Sequence, residues 1–113
     1  MDTRAVVEHH LDALQRADLE ATLDDYSDES LLLVAGSEPV RGREALAAVF
    51  GPAIDVMFAP PSSAFTLDSL VAVGEYALIT WHMTYPGGEV SFGTDTFVVR
   101  DGKIVLHTGA IQL

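Results

Sequence analysis

An α+β domain is what this chain predicts, with N-terminal helices packed on a curved, mostly antiparallel sheet. Three observations carry that reading. Apolar residues recur at helical spacing through much of the first half, and the pattern changes to strands after Pro60-Pro61. Turn signals at Pro86-Gly87-Gly88-Glu89 and Arg100-Asp101-Gly102 then join the last three strands as a meander. Helices followed by a meander bury their apolar faces most simply against each other, as two layers. At 113 residues, 49% of them apolar, the chain has material for one core, so residues 1–113 are read as a single domain.

Each element has its own signal. Val7, Leu11 and Leu14, flanked by Val6, His10, Ala13 and Ala17, predict an amphipathic helix over 3–17. Asp18 is suited to cap a second short helix whose inner side carries Leu19, Leu23 and Tyr26. Ser30 to Ala35 is a compact apolar strand closed by the turn Gly36-Ser37-Glu38-Pro39. Leu46, Val49 and Phe50 return to helical spacing from Arg43, and Gly51-Pro52 should kink or restart a helix that runs to about Phe58. Strands follow at roughly 64–73, 75–85, 89–100 and 103–112.

Composition excludes several function classes. Seventeen acids against six bases give a net charge of −11. Phosphate contacts need clustered Lys or Arg, so neither nucleic acid nor an anionic membrane surface is expected as a partner. The chain has no cysteine, which removes disulfides, thiolate nucleophiles and thiolate metal sites. Arg4 to Gln15 is amphipathic, unlike a signal peptide, and no run has the apolar length of a membrane span. A cytoplasmic location is the default expectation. Asp24, Asp25, Asp28 and Glu29 read as a solvated charge run. No dinucleotide loop, phosphate loop or nucleophile elbow is present.

Asp95 is the residue that asks for an explanation, because it stands inside an otherwise uncharged strand. In the preceding strand Thr80, His82 and Thr84 share one face, and Trp81, Met83 and Tyr85 the other. The polar set is read here as lining a cavity, and the aromatic set as the interface of a homodimer. Pairing Tyr85 with Val90 across the turn puts His82 opposite Gly93, which would leave space over the imidazole, and brings Asp95 to the same face as His82. A two-residue turn at Asp101-Gly102 would point His107 away from Asp95, whereas a three-residue turn with Gly102 in a bulge would place them opposite each other. We favour the three-residue form.

The element order, with Ala13-Leu-Gln-Arg-Ala-Asp-Leu19, Tyr26-Ser-Asp-Glu-Ser30, Gly36-Ser-Glu-Pro-Val-Arg-Gly-Arg43 and Gly93-Thr-Asp-Thr-Phe-Val-Val-Arg-Asp-Gly-Lys103, resembles the nuclear transport factor two-like superfamily over nearly its whole length. That group includes ketosteroid isomerases and SnoaL-like cyclases. The resemblance implies a cone-shaped α+β barrel with a deep pocket between helices and sheet, commonly in a homodimer. It implies that Asp95 matches an acid that holds a substrate oxyanion, that His10 takes the place of the oxyanion-hole tyrosine, and that Tyr26 matches a supporting tyrosine. It also brings His82 and His107 to the pocket wall. Leu33 stands where the isomerases have their aspartate base, so steroid isomerisation is not expected.

Histidine beside a carboxylate is suited to acid–base chemistry near neutrality. The catalytic candidates are therefore Asp95, His82 and His10, with Tyr26, Leu33, Phe50, Thr80, Thr84, Phe97 and His107 as substrate-binding residues. The expected function is a cofactor-independent cyclase, isomerase or hydratase acting on a small hydrophobic carbonyl or polyketide-like substrate. The alternative is a non-catalytic small-molecule binding or protein-interaction module on the same cone. No cofactor and no metal are expected, since the histidines come from separate elements without helical His-x-x-x-His spacing. His9 projects about 100° away from His10 and reads as solvent-facing. An epoxide-opening hydrolase lacks an Arg-Asp-Asp constellation here.

Overall fold

A computed structural model describes all 113 residues. Helix α1 spans Thr3–Gln15, capped by the Asp2 carboxylate, which accepts from the Ala5 amide. Its inner face is Val6, Val7, His10, Leu11, Ala13 and Leu14. The helix stops two residues earlier than its periodicity suggests because Ala17 turns left-handed, at φ 57°. The Asp18 amide then donates to Ala13 and the Ala17 amide to Leu14, which closes the last turn. Asp18 caps α2 (Leu19–Asp24) through the Ala21 amide, as its sequence predicts.

Strand β1 (Tyr26–Val34) begins four residues before the expected start. The amide of Ile104 donates to the Asp25 carbonyl and draws the chain into the sheet at once, so Tyr26 belongs to β1 and not to the inner side of α2. A short β2 (Val40–Arg41), read as part of a turn from sequence, pairs with β1. Helix α3 (Arg43–Ala53) runs through Pro52 and then widens into a π-helical segment, Ile54–Phe58. Pro52 has no amide to donate and its ring crowds the preceding turn, and a π-turn just beyond it is one way a helix absorbs that disturbance.

Strands β3 (Ala64–Val73), β4 (Tyr76–Tyr85), β5 (Gly88–Arg100) and β6 (Lys103–Gln112) complete one sheet in the order β2-β1-β6-β5-β4-β3. Only β1 and β6 run parallel. The helices cover the concave face, giving the α+β cone that the sequence predicts. The core lies between them, with Val6, Val7, Leu46, Ile79, Met83, Val90, Phe97 and Ile104 almost wholly buried.

The faces of β4 are the reverse of the sequence reading. Ala77, Ile79, Trp81 and Met83 point inward and are buried, while Thr80, His82 and Thr84 face outward. The reason is register. The hairpin turn has two residues, pairing Tyr85 with Gly88, and β5 carries one extra residue between Val90 and Gly93, so Ile79 lies opposite Asp95 and Trp81 opposite Gly93. One residue of slip moves a whole strand to the other face. Trp81 and Met83 therefore cannot form a dimer interface, and Tyr85 folds its ring over Gly87 and Gly88.

The last turn differs too. Arg100 pairs with Lys103 around Asp101-Gly102, with φ of 51° and 75°, the all-positive geometry of a two-residue hairpin turn. An extra residue in β6 near Val105 then restores the parity. His107 comes out on the inner face after all, opposite Phe97, and reaches Asp95 along the diagonal.

Candidate functional site

Four strands and the helix that carries His10 meet inside the cone. Asp95 on β5 is the hub. Its Oδ1 accepts from the Trp81 indole N–H at 2.9 Å, and its Oδ2 lies 2.6 Å from His107 Nε2. On its other side, His107 Nδ1 lies 2.8 Å from the Tyr26 hydroxyl. A carboxylate, an imidazole and a phenol thus stand in series from the edge of the cone to its interior.

Glycine makes this arrangement possible at Gly93. A Cβ on Gly93 would sit 2.2 Å from Trp81 Cε2 and 2.5 Å from Cζ2, so the indole can lie across β5 only because that position is bare. A Cβ on Gly109, the residue paired with Asp95, would come no closer than 3.4 Å to the carboxylate, an ordinary contact. The space above Gly93 is filled by Trp81, not by His82 as its sequence register implies.

Aromatic rings pack the inner part. Phe97 stacks on His107 with centroids 4.3 Å apart, and His10 stands edge-on to Tyr26, Phe50, Phe97 and His107 at 5.5–5.9 Å. His10 is 1% exposed and its Nδ1 has no hydrogen-bond partner. Burial, with help from neighbouring His107 and His9, holds its pKa well below 6.5, so the ring is neutral. Burial pushes the Tyr26 hydroxyl well above 10, assisted by the Asp95 and Asp25 charges, so it stays a donor.

With the Tyr26 hydroxyl as donor, His107 Nδ1 accepts. His107 Nε2 then carries the proton that it donates to Asp95. Trp81 supplies the second donor, so the Asp95 carboxylate is held by two N–H groups.

The expected site residues are only partly brought together. Asp95, His107, Tyr26, His10, Phe50 and Phe97 converge. His82 does not, because it sits on the outer face bonded to Asp68 at 2.8 Å, where an extra residue in β3 turns that aspartate toward it. Thr80 is outside as well, bonded to Ser69, and Thr84 is exposed. Leu33 points outward at 38% exposure; the inward neighbour at its level is Leu32, paired with His107. That inward position is apolar too, so the carboxylate base of the isomerases has no counterpart in either residue.

Two participants were missed from sequence. Trp81 was assigned to the wrong face, although a tryptophan paired with a glycine is a signal of a ring lying across the neighbouring strand. His9 is not simply solvated: its Nδ1 bonds both oxygens of Asp25, a carboxylate almost wholly buried at the end of α2. Burial raises the pKa of Asp25, while His9 opposes that rise. Asp25 is thus removed from the solvated charge run.

The open recesses lie elsewhere. One of about 270 Å³ is lined by Asp2, Thr3, Arg4, Ala72 and Gly74. The other, about 320 Å³, is on the outer face over Val71, Val73, Tyr76, Leu78 and Thr96, with Ala77 at its floor. Neither touches Asp95, so the deep apolar pocket expected beside it is filled by the packed rings. Asp95 meets solvent only through the 17% of its side chain left open. Nowhere do three His, Asp or Glu side chains converge to hold a metal ion.

The profile of the SnoaL-like domain family matches residues 7–107. The chain belongs to that family. Its SnoaL-like fold, within the nuclear transport factor two-like superfamily, recurs in solved structures. A putative ketosteroid isomerase from Kribbella flavida superposes with a TM-score of 0.81 at 20% identity, covering 98% of this chain and 78% of the other. An NTF2-like protein of unknown function from Mesorhizobium loti gives 0.82 at 22% identity, covering 98% and 91%. An LEH-like epoxide hydrolase from M. tuberculosis gives 0.74 at 22%, covering 96% and 80%. At these identities the likeness is one of fold alone. Comparison with the curated proteins finds no match. No helix of this SnoaL-like domain is long and apolar enough to cross a membrane.

Proposed function

We propose that this SnoaL-like domain is a cofactor-independent acid–base enzyme acting on a small, hydrophobic carbonyl compound, with Asp95 as the base. The observation that carries the reading is the hold on Asp95. Two N–H donors orient the carboxylate, and its remaining lone pairs are partly open to solvent. A carboxylate so placed can take a proton from carbon next to a carbonyl.

The same geometry narrows the substrate. Both N–H donors at Asp95 are already committed to it, so neither is free to stabilise an enolate oxygen. A substrate whose C–H is acidified by two carbonyls, as in a polyketide-like 1,3-dicarbonyl, needs least help of that kind. His107 and Tyr26 act as positioning residues, since Tyr26 sets the imidazole tautomer and His107 orients the carboxylate.

The test is deuterium exchange at carbon 2 of ethyl 2-methylacetoacetate, followed by NMR with the buffer rate subtracted. The protein should accelerate exchange, and Asp95→Asn should lower the protein-dependent rate by about 100-fold or more while the fold persists. No acceleration by the unmodified protein would sink the catalytic reading and leave a small-molecule binding module. The other non-catalytic reading is a protein-interaction module of the same fold, which needs no preformed cavity beside Asp95.

We also propose that the protein is a homodimer, through the outer face of the sheet. Val71, Val73, Tyr76 and Leu78 form a contiguous apolar surface there, all four more than 40% exposed. This patch takes the place of the interface first assigned to Trp81, Met83 and Tyr85.

A further inference from the structure

Every Lys and Arg of the chain is committed away from Asp95. Arg4 donates to the Leu70 carbonyl and Arg41 to that of Glu29. Arg16 pairs with Asp12 and Asp18, Arg43 faces Asp24, and Arg100 pairs with Glu75. Lys103 donates to the Asp24 carbonyl. Of the histidines, His10 is neutral through burial, and His107 alone meets Asp95, through Nε2 at 2.6 Å. No Lys or Arg therefore pairs with Asp95. Trp81 and His107 occupy two of a carboxylate's roughly four lone-pair directions, so one remains on each oxygen.

An aromatic row leads away from this carboxylate. The Trp81 ring lies 5.4 Å from Phe65, and Phe65 lies 6.1 Å from Phe58, centroid to centroid. Ile111, at the inward position opposite Gly93, is 51% exposed, and half-exposed Leu67 pairs with Trp81. The rim of the cone is thus apolar and aromatic around one carboxylate, without Lys or Arg. Such a surface complements a cation on an apolar body, through a charge-assisted hydrogen bond and cation–π attraction. The net charge of −11 raises the local concentration of such ligands.

We propose that the mouth of the cone binds small protonated amines with an apolar body, the ammonium group on the free lone pairs of Asp95 and the body against Trp81 and Phe65. The inference rests on the mouth being a ligand site, as the proposed function requires, but not on turnover. It adds a charge class to the substrate: a basic nitrogen can occupy the free lone pair on one oxygen of Asp95 and leave the other for proton abstraction.

The test titrates 2-phenylethylammonium and 2-phenylethanol into the intact protein at pH 7 and low salt, by calorimetry and by the emission of Trp81. The amine should bind at least about tenfold tighter than the alcohol and weaken as salt rises. Asp95→Asn should reduce the preference to within about twofold, and Asp101→Asn, at an exposed turn, should leave it intact. In the unmodified protein, the Trp81 indole and His107 ring NMR signals should shift on binding, which keeps the test decisive if Asp95→Asn fails to fold. Equal affinity for the alcohol, no saturable binding of the amine at millimolar concentration, or shifts confined to Asp24–Glu29 would overturn the proposal. Amine preference without deuterium exchange would remove the catalytic reading alone, and exchange without amine preference would remove this one.

Discussion

Replacing Gly93 by alanine would set a methyl carbon 2.2, 2.5 and 2.7 Å from three atoms of the Trp81 indole. Carbon contacts are comfortable at about 3.5–4.0 Å, so the ring must move. Trp81 is 8% exposed and packed against Phe65, which leaves it no equivalent place inside the cone. Moving it breaks the indole bond to Asp95, and a hydrogen bond to a charged group contributes about 1.5–3 kcal/mol. Overpacking adds about 1–3 kcal/mol. The combined loss of about 2.5–6 kcal/mol is a large part of the roughly 5–15 kcal/mol that holds a small domain together.

Urea unfolding measures that loss, and the single tryptophan reports the cause. Native emission of Gly93→Ala should move to the red as the indole meets water. Trp81→Phe loses the N–H but makes room for the methyl, so Gly93→Ala combined with Trp81→Phe should cost clearly less than the sum of the two single changes. Gly51→Ala is the control, since a Cβ there meets only Leu19 at 3.8 Å, and it should be neutral or stabilising by up to about 1 kcal/mol. An unchanged emission maximum, with a stability loss under about 0.5 kcal/mol, would refute the argument that Gly93 exists to admit Trp81.

Two further outcomes follow from the same structure. The folded state keeps His10 neutral while an unfolded chain takes up a proton near pH 6.5, so the stability from this residue is present above that pH and lost as pH falls below it. The slope reaches about 1.4 kcal/mol per pH unit; His10→Leu should flatten the pH 5–6.5 stability profile, and an unaltered profile would count against the buried neutral ring. For the dimer, sedimentation of a Tyr76→Glu, Leu78→Glu variant should show a monomer with its fold intact. A parent that already sediments as a monomer, or a variant that remains a dimer, would remove the outer-face interface.

Much of the architecture was legible because it depends on local signals. Asp18 capped its helix, Pro52 disturbed α3, and the turns at Pro86 and Asp101-Gly102 fell where their residue types placed them. Asp95 was rightly singled out as a charge needing a partner, but His82 was the wrong partner and His107 arrived by a different turn. The ordinary reading of β4, polar residues outward and Ala77, Ile79, Trp81 and Met83 inward, was the correct one. Departing from it displaced Thr80, Thr84 and the dimer surface together.

The sequence by itself determined the order of the helices and long strands, the α+β class and the acidic character, because periodicity, caps and turn residues act within a few positions. Only the tertiary structure decided which face each strand turns inward. Single extra residues in β3, β5 and β6 shift the pairing by one, and nothing in the alternation pattern marks where they fall. They are set by packing across strands, where an indole needs the bare surface of Gly93, and by the bonds that tie Asp95 to Trp81 and His107.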